Sequence, residues 1–429
     1  MKIFLKEIEE YIIKGEKVNI VNPQSVTEEG FYGKYLKVNG KKKLDLTRLD
    51  YLSLGSNQKV REIMIECIQK FDISNPASQI VMKSGSTVKL EKALADFHKM
   101  QSSLVFTSGY SANENMMLAL GLRMNTPHLL TYFREAGLGK SSIGIPSIFF
   151  IDEESHFSLQ NTARIAKMLT KDKCFVYRFP SMNYDYLIKQ IQKTYLNHSD
   201  KAVRIIVSDT LSSASGQIFD IEALCSIAEE YDCILYLDEA HAIGTLGEYG
   251  NGITSNVKDF NRYKDRLIIM GTLTKAFSQL GGYVTMSNIS MSLFLRVCSP
   301  HYIFSAPIPP WMAEAIVKIL AVIKGDFGKR ERAKLRVISE YLRNELIRNN
   351  FNILGSSSHI IPVLIGDDEK CKAVKQFLEQ WGFITSLFVY PAVKRGNSLI
   401  RLSLCSDIDY READKLIKIL ILAKKKICF

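Results

Sequence analysis

Between residues 102 and 272 the chain repeatedly produces short, uninterrupted apolar runs rich in isoleucine and valine: "SSLVFTSGY", "IPSIFFID", "VRIIVSD", "CILYLD" and "LIIMGT". Strict alternation would mark strands with one wet face. Continuous apolar runs mark strands buried on both faces, the condition of a mainly parallel sheet covered by helices. Between two of these runs, "DIEALCSIAEEYD" places Ile221, Leu224, Cys225 and Ala228 on one helical face, behind Asp220, a residue suited to capping a first turn. "LEKALADF" does the same with Leu90, Ala93, Leu94 and Phe97. Strand, helix, strand is the unit of an open α/β sheet, and in such sheets ligands collect at the C-terminal ends of the strands. Ser208, Asp209, Asp238, Gly271 and Thr272 fall at that edge.

After "SAPIPPW" the pattern changes to long helices, "AEAIVKILAVI" and "RERAKLRVISEYLRNELIRN", followed by strand patterns at "HIIPVLIG" and "SLIRLSL". The expected division is an N-terminal arm or helix over 1–55, a large α/β domain over 56–300 and a smaller α+β domain over 301–429. The opening "MKIFLKEIEEYIIKGEK" alternates charged and apolar residues with helical period and lacks the apolar centre of a signal peptide. No run reaches membrane-spanning length. The eight cysteines lie far apart, without metal-ligand spacing, and most sit in apolar surroundings. The expectation is therefore a soluble cytoplasmic protein with reduced thiols, no metal site and no stable membrane insertion.

The formal net charge is +11, but the lysines are dispersed and only the tail "AKKKICF" forms a cluster. A nucleic-acid role would need a basic stripe interleaved with aromatics, which the chain lacks.

Lys275 in "GTLTKAFSQLGGY" follows a buried strand among small hydroxylated residues and glycines, a setting that suits a lysine of lowered pKa and Schiff-base chemistry. In "YLDEAHAIGTLGEYGNGI", Asp238 ends an apolar strand and His241 follows three residues on. An acid and an imidazole so spaced can bracket an aromatic heterocycle such as pyridoxal phosphate, whose pyridine nitrogen needs a carboxylate to stay protonated. The phosphate needs backbone N–H groups at a helix start, and "TSGYSANENMMLAL" offers a small-residue turn running into an apolar helix. Alone, each feature has a blander explanation. A strand-end Asp is commonly an N-cap, and most lysines are solvated.

In combination and order these motifs resemble the α-oxoamine synthases, fold-type I pyridoxal-phosphate enzymes that condense an acyl-CoA with an amino acid. The resemblance runs from "DYLSLGS" to beyond Arg401. It implies a large, mainly parallel, seven-stranded type of sheet domain with a smaller C-terminal domain. It implies pyridoxal 5′-phosphate as cofactor. "SGYSAN" resembles the phosphate-end turn and assigns Ser108, Gly109 and Tyr110 to the phosphate. "IDEESHFSL" assigns His156 to stacking on the ring. "SDTLSSASG" puts Asp209 and Ser212 on the cofactor side. "DEAHAIGTLGEYGNG" gives Asp238 to the ring nitrogen and His241 to the ring oxygen. The lysine motif makes Lys275 the Schiff-base lysine and general base, with Thr272 on the phosphate. "YIFSAPIPP" resembles the stretch that reaches a neighbouring subunit's phosphate, which implies a homodimer with the active site at the subunit interface and nominates Ser305. "SLIRLSL" nominates Arg401 for the substrate carboxylate, and Asp50 in "DYL" is a candidate at the substrate end.

Departures from the family pattern fall around that end. Asn251 stands where an arginine is usual, "NPASQIVMKSGSTVKLEKAL" lacks the usual glycine-rich pattern and its histidine, Asp50 replaces Asn, and Asp209 replaces Glu. With "IRLSLCSDID", these departures resemble the branch that makes α-hydroxyketone quorum-sensing autoinducers. That branch implies a medium- or long-chain acyl-CoA and an amino donor such as S-adenosylmethionine or an amino acid. The alternatives are a synthase of the 8-amino-7-oxononanoate, glycine C-acetyltransferase or serine palmitoyltransferase type, an aminotransferase, a non-catalytic partner subunit, or a scaffold with an accidental motif set.

Overall fold

The computed structural model describes residues 2–17, 33–75, 77–123, 135, 145–170, 173–199, 201–390 and 392–429. Residues 18–32 of the expected N-terminal arm lie outside the described residues.

The helix Lys2–Lys17 comes first, followed by two short strands, β1 (Tyr35–Val38) and β2 (Lys41–Asp45). Seven central strands follow: β3 (Ser102–Phe106), β4 (Ser147–Asp152), β5 (Cys174–Phe179), β6 (Val203–Asp209), β7 (Ile234–Asp238), β8 (Leu267–Thr272) and β9 (Gly282–Met286). They form one seven-stranded sheet in the order β3-β9-β8-β7-β6-β4-β5, parallel except for β9, which runs antiparallel to both its neighbours. Sequence reading found five of these strands and missed β5 and β9. The burial pattern of β5 is mixed, and β9 directly follows the lysine turn, so neither shows a separate apolar run.

Successive residues of each central strand feed opposite cores. Phe149 and Ile151 pack with Ile205 and Tyr236 beneath helices Gly109–Leu122 and Phe157–Thr170. Ile148 and Phe150 pack with Ile206, Leu235 and Leu237 beneath helices Tyr184–Asn197 and Ile221–Glu230. Two buried faces explain why no polar residue alternates in these strands. Asp220 accepts from Ala223 N at 3.0 Å, and Ile221, Leu224, Cys225 and Ala228 are all buried, as the periodicity required.

The C-terminal part carries β10 (Ile360–Gly366), β11 (Phe383–Ile384), β12 (Ser386–Phe388) and β13 (Ser398–Ser403). β13 lies antiparallel between β10 and β12, while β11 pairs parallel with β2. The N-terminal segment is thus fastened to the C-terminal part, with Leu46 N–H donating to Ile384 O and Ser403 N–H to Leu46 O, both at 2.8 Å. The basic tail ends the helix Tyr410–Ile427, where Lys424 Nζ donates to Asn350 O at 2.6 Å and Phe429 approaches Phe351. No described helix is long and apolar enough to cross a membrane.

Candidate active site

Asp209 and Asp238 end adjacent parallel strands and face each other in register. Both are buried. Asp238 accepts from the Ala240 N–H at 2.9 Å through Oδ1 and from Asn113 Nδ2 at 2.8 Å through Oδ2. Asp209 accepts from the His156 N–H at 3.1 Å. Burial, and then the neighbouring Asp238, push the Asp209 carboxyl well above the usual range, against the opposing pull of the His156 N–H and Lys275.

Asn113 sits in the first turns of helix Gly109–Leu122 and is 1% exposed. Its Oδ1 accepts from Tyr236 OH at 2.8 Å, which orients the amide so that Nδ2 reaches both Asp238 and Ser158 Oγ, the latter at 2.9 Å. The Ser158 N–H in turn points at His156 Nδ1 at 3.3 Å, with the Ser158 hydroxyl 2.7 Å from the same atom. A ring nitrogen that accepts a backbone N–H carries no proton, so neutral His156 holds its proton on Nε2. Loss of hydration lowers the pKa of His156, and Lys275 adds to this while Asp238 opposes it. His156 is exposed as a residue, and its ring meets Tyr110 edge-on at 6.5 Å between centroids.

Lys275 lies in the turn after β8, where the Ser278 N–H donates to its carbonyl at 2.9 Å. As a whole residue it is only half-buried, yet protein surrounds its amine closely enough that desolvation brings its pKa down to about 8, with Asp238 and Asp209 resisting and Arg401 assisting. Lys275 is thus near enough to both strand-end acids for each to act on its charge.

The turn expected at the phosphate end is tightly built. Ser108 caps helix Gly109–Leu122, accepting from Ser111 N at 3.0 Å while Ser111 Oγ accepts from the Ser108 N–H at 3.1 Å. Gly109 and Tyr110 open that helix, where intrahelical acceptors are missing. A Cβ on Gly109 would stand 3.1 Å from Thr272 Oγ1, and one on Gly282 would stand 2.5 Å from Gly109 N and Cα. Glycine is required because the end of β8, the start of β9 and the helix start converge here. Thr272 Oγ1 also meets Thr274 Oγ1 at 2.8 Å.

On the far side, His241 Nδ1 is 2.7 Å from Tyr51 OH, and burial first, then Lys275 and Arg401, hold its pKa well below the usual histidine range. Arg401 comes from β13, donates to Ser213 O at 2.9 Å, lies 4.8 Å from the Phe388 ring and leaves a buried Nε without a partner. The remaining sequence-nominated residues are engaged locally. Ser212 donates to Glu154 Oε2 at 2.6 Å. The Asp50 carboxylate accepts from Leu54 N, Gly55 N and Arg48 at 2.8, 2.9 and 2.6 Å, so it builds its own loop. Ser305 is half-buried after the short helix Pro300–Phe304, with its hydroxyl on Ala306 O at 3.4 Å. Asn251, where an arginine was missed, is buried and reaches Phe97 O at 3.4 Å.

Sequence reasoning passed over Asn113, Ser158, Tyr236 and Tyr51. Asn113 and Ser158 stand inside motifs already quoted, and their polarity on otherwise apolar helix faces was the available signal. Nothing in the order of residues announces Tyr51, which meets His241 across 190 positions.

Residues 146–420 match the family described as aminotransferase class I and II. The 5-aminolevulinate synthase of Rickettsia typhi is 30% identical over 356 residues, 82% of this chain and 77% of that protein. The 8-amino-7-oxononanoate synthase of Petrotoga mobilis is 27% identical over 395 residues, 90% of each. Among solved structures, the serine palmitoyltransferase of Sphingomonas wittichii has a TM-score of 0.83 at 19% identity, covering 99% of this chain and 98% of that one. The 8-amino-7-oxononanoate synthase of Francisella tularensis has a TM-score of 0.70 at 20% identity, over 90% and 99%. At such identities the structural likeness speaks for the fold.

Proposed function

Because this chain belongs to the aminotransferase class I and II family and has α-oxoamine synthases among its homologues, it is a pyridoxal 5′-phosphate enzyme of the acyltransferase type, and we propose that it condenses an acyl-CoA with an amino donor. The observation that carries this reading is Lys275 in the turn after β8, close enough to the in-register strand-end pair Asp209 and Asp238 to feel both, with burial lowering its pKa to about 8. The residues present suit the cofactor: a carboxylate held by two donors at Asp238, a glycine-lined helix start at Gly109 and Gly282, and an orphaned Arg401 Nε. Bound, pyridoxal phosphate supplies an aldehyde that joins an amine and a protonated ring that takes up the electron pair left when the donor's α-carbon loses its proton.

In this proposal Asp238 pairs with the ring nitrogen and His241, braced by Tyr51, with the ring oxygen. Gly109, Tyr110, Ser108 and Thr272 hold the phosphate through N–H and hydroxyl groups. His156 lies over the ring, its Nε2–H free to donate. Asp209 fixes the His156 backbone, and Ser212 fixes Glu154 beside it. Lys275 takes the α-proton as a base matched to neutral pH. Arg401 orients the donor carboxylate with the guanidinium atoms that Ser213 leaves free. We give Asp50 a loop-bracing role in place of substrate contact, since its carboxylate is already satisfied.

The relatives favour the broader reading, an α-oxoamine synthase of the 5-aminolevulinate or 8-amino-7-oxononanoate type, over the narrower autoinducer synthase with S-adenosylmethionine as donor. A silent partner subunit would have lost its lysine, whereas Lys275 is present with its motif intact. The proposal keeps the homodimer, in which Ser305 reaches the neighbouring phosphate. Support comes from Phe304, 70% exposed beside it, and from exposed Val81 and Met82, apolar side chains that a second subunit would cover. It also keeps the division at 1–55, 56–300 and 301–429.

The test is thiol release from short-, medium- and long-chain acyl-CoAs, each offered with glycine, alanine, serine or S-adenosylmethionine. Donor-dependent release that disappears in Lys275→Ala supports the synthase. Amino-group transfer to a 2-oxo acid without thiol release would replace it with an aminotransferase.

A further inference from the structure

A cleft of about 430 Å³ lies beside the glycine-rich loop at 245–248 and includes none of Lys275, Asp238 or His156 in its lining. Its long wall is one face of the helix Asp326–Arg348, which presents Lys329, Arg332, Arg336 and Arg343. Spacings of three, four and seven residues keep these four cations on one side of the helix. None of them forms an ion pair with a carboxylate among the described residues. Arg332 is buried and uses its guanidinium on backbone carbonyls, Ile323 O at 2.7 Å and Glu248 O at 3.1 Å, which leaves its charge uncompensated. Arg343 likewise donates to Ser358 O. The acids lining the cleft are Glu248, engaged by Tyr249, and Glu340, which acts on Arg343 only through space.

At the floor stands His359, 3% exposed, with a buried Nε2 that has no hydrogen-bond partner. A buried polar atom left bare is unfavourable, so a ligand atom that paired with it would be held there. Burial first, then Arg343 and Lys275, lower the His359 pKa to about 3, so the ring is neutral and can donate from one nitrogen. The same ring meets Tyr51 edge-on at 4.1 Å, and Tyr51 OH contacts His241. The floor of the cleft is therefore one aromatic contact and one hydrogen bond from the residue assigned to the cofactor ring.

We propose that this cleft is a second ligand site, taking a small phosphate-bearing molecule held by the cation row of helix Asp326–Arg348 and by His359. Arginine matches phosphate by paired N–H donors, and a cleft of this size is within the range of small-molecule sites. Occupancy at His359 is transmitted through Tyr51 to His241. That transmission rests on the cofactor reading, whereas binding itself does not.

The test is calorimetric titration of the cofactor-loaded protein with inorganic pyrophosphate, and separately with coenzyme A, on wild type and on the double variant Lys329→Ala/Arg336→Ala. Both substituted side chains are exposed, so the fold should survive, and neither belongs to the proposed catalytic set. The expected result is saturable pyrophosphate binding that weakens tenfold or more in the double variant. The cofactor's visible absorbance should shift on binding in wild type. If coenzyme A displaces pyrophosphate, the site serves the coenzyme's own phosphates; if it does not, the site takes a separate phosphorylated molecule. Absence of saturable pyrophosphate binding, or equal binding by the double variant, overturns the proposal. Binding without an absorbance shift overturns the transmission to His241 and leaves the site.

Discussion

Asn113 holds Asp238: its side-chain amide donates to Asp238 Oδ2 at 2.8 Å across 125 residues of chain, and is itself oriented by Tyr236 OH. The carboxylate that would face a cofactor ring is thereby aimed by a buried helix-borne amide, itself set by a strand-borne phenol, and by the Ala240 N–H in the turn after β7.

Asn113→Leu removes that donor while keeping the volume close. A buried charged acceptor that loses a hydrogen bond costs about 1–3 kcal/mol. Cofactor affinity and turnover should both fall, by roughly 5- to 150-fold, with little change in the KM for acyl-CoA. A variant with unaltered cofactor affinity would remove Asn113 from the positioning of Asp238.

Lys275→Ala should eliminate thiol release, with unchanged far-ultraviolet circular dichroism. Borohydride reduction of the loaded wild-type protein should label the Lys275 peptide, and label on another lysine would overturn the assignment.

Lys275 also sets a pH dependence. An amine joins an aldehyde only when unprotonated, and burial lowers this one to about 8. The rate of pyridoxal phosphate capture by the apoprotein should rise as pH increases through about 8 and level above it. The depressed pKa means that the unfolded chain binds the extra proton between about 8 and the ordinary lysine value near 10.4, so this residue's penalty on stability is fully present below 8 and fades as pH rises. A capture rate still climbing steeply beyond pH 9.5 would contradict a lowered pKa.

Gly282→Ala places a Cβ 2.5 Å from Gly109 N and Cα. Overpacking of this kind costs roughly 1–3 kcal/mol, and the strain falls on the helix start proposed to hold the phosphate. Cofactor affinity should drop more than unfolding stability, as measured by titration and by urea denaturation. Loss of stability alone would separate this turn from the cofactor.

Glu239 is buried; Oε1 accepts from Thr254 N and Oγ1, both at 2.7 Å, while Oε2 has no partner. Burial raises its pKa to about 7. The folded state then binds the extra proton between about 4.5 and 7, so the stability of wild type relative to Glu239→Gln should fall as pH rises across that window and be constant above it. Parallel urea curves at pH 5 and pH 7.5 would show this, and a pH-independent difference would refute it.

Local chemistry settled a good deal before any tertiary contact was known. Continuous apolar runs required a sheet buried on both faces, Asp220 capped its helix, and the order of the Ser108, His156, Asp209, Asp238 and Lys275 motifs put them at one strand edge, because strand direction fixes which end each residue occupies. Each of these depends on neighbours within a few positions. What only the folded molecule decided depends on pairs far apart in the chain: the placement of β9 antiparallel between β3 and β8, the fastening of β2 to β11, the Asn113–Asp238 and Tyr51–His241 bonds, and the cation-lined cleft over His359. No periodicity encodes such pairs. They arise when separate elements dock and buried polar groups must find partners; His359 Nε2, Arg401 Nε and Glu239 Oε2 are among the atoms left without one.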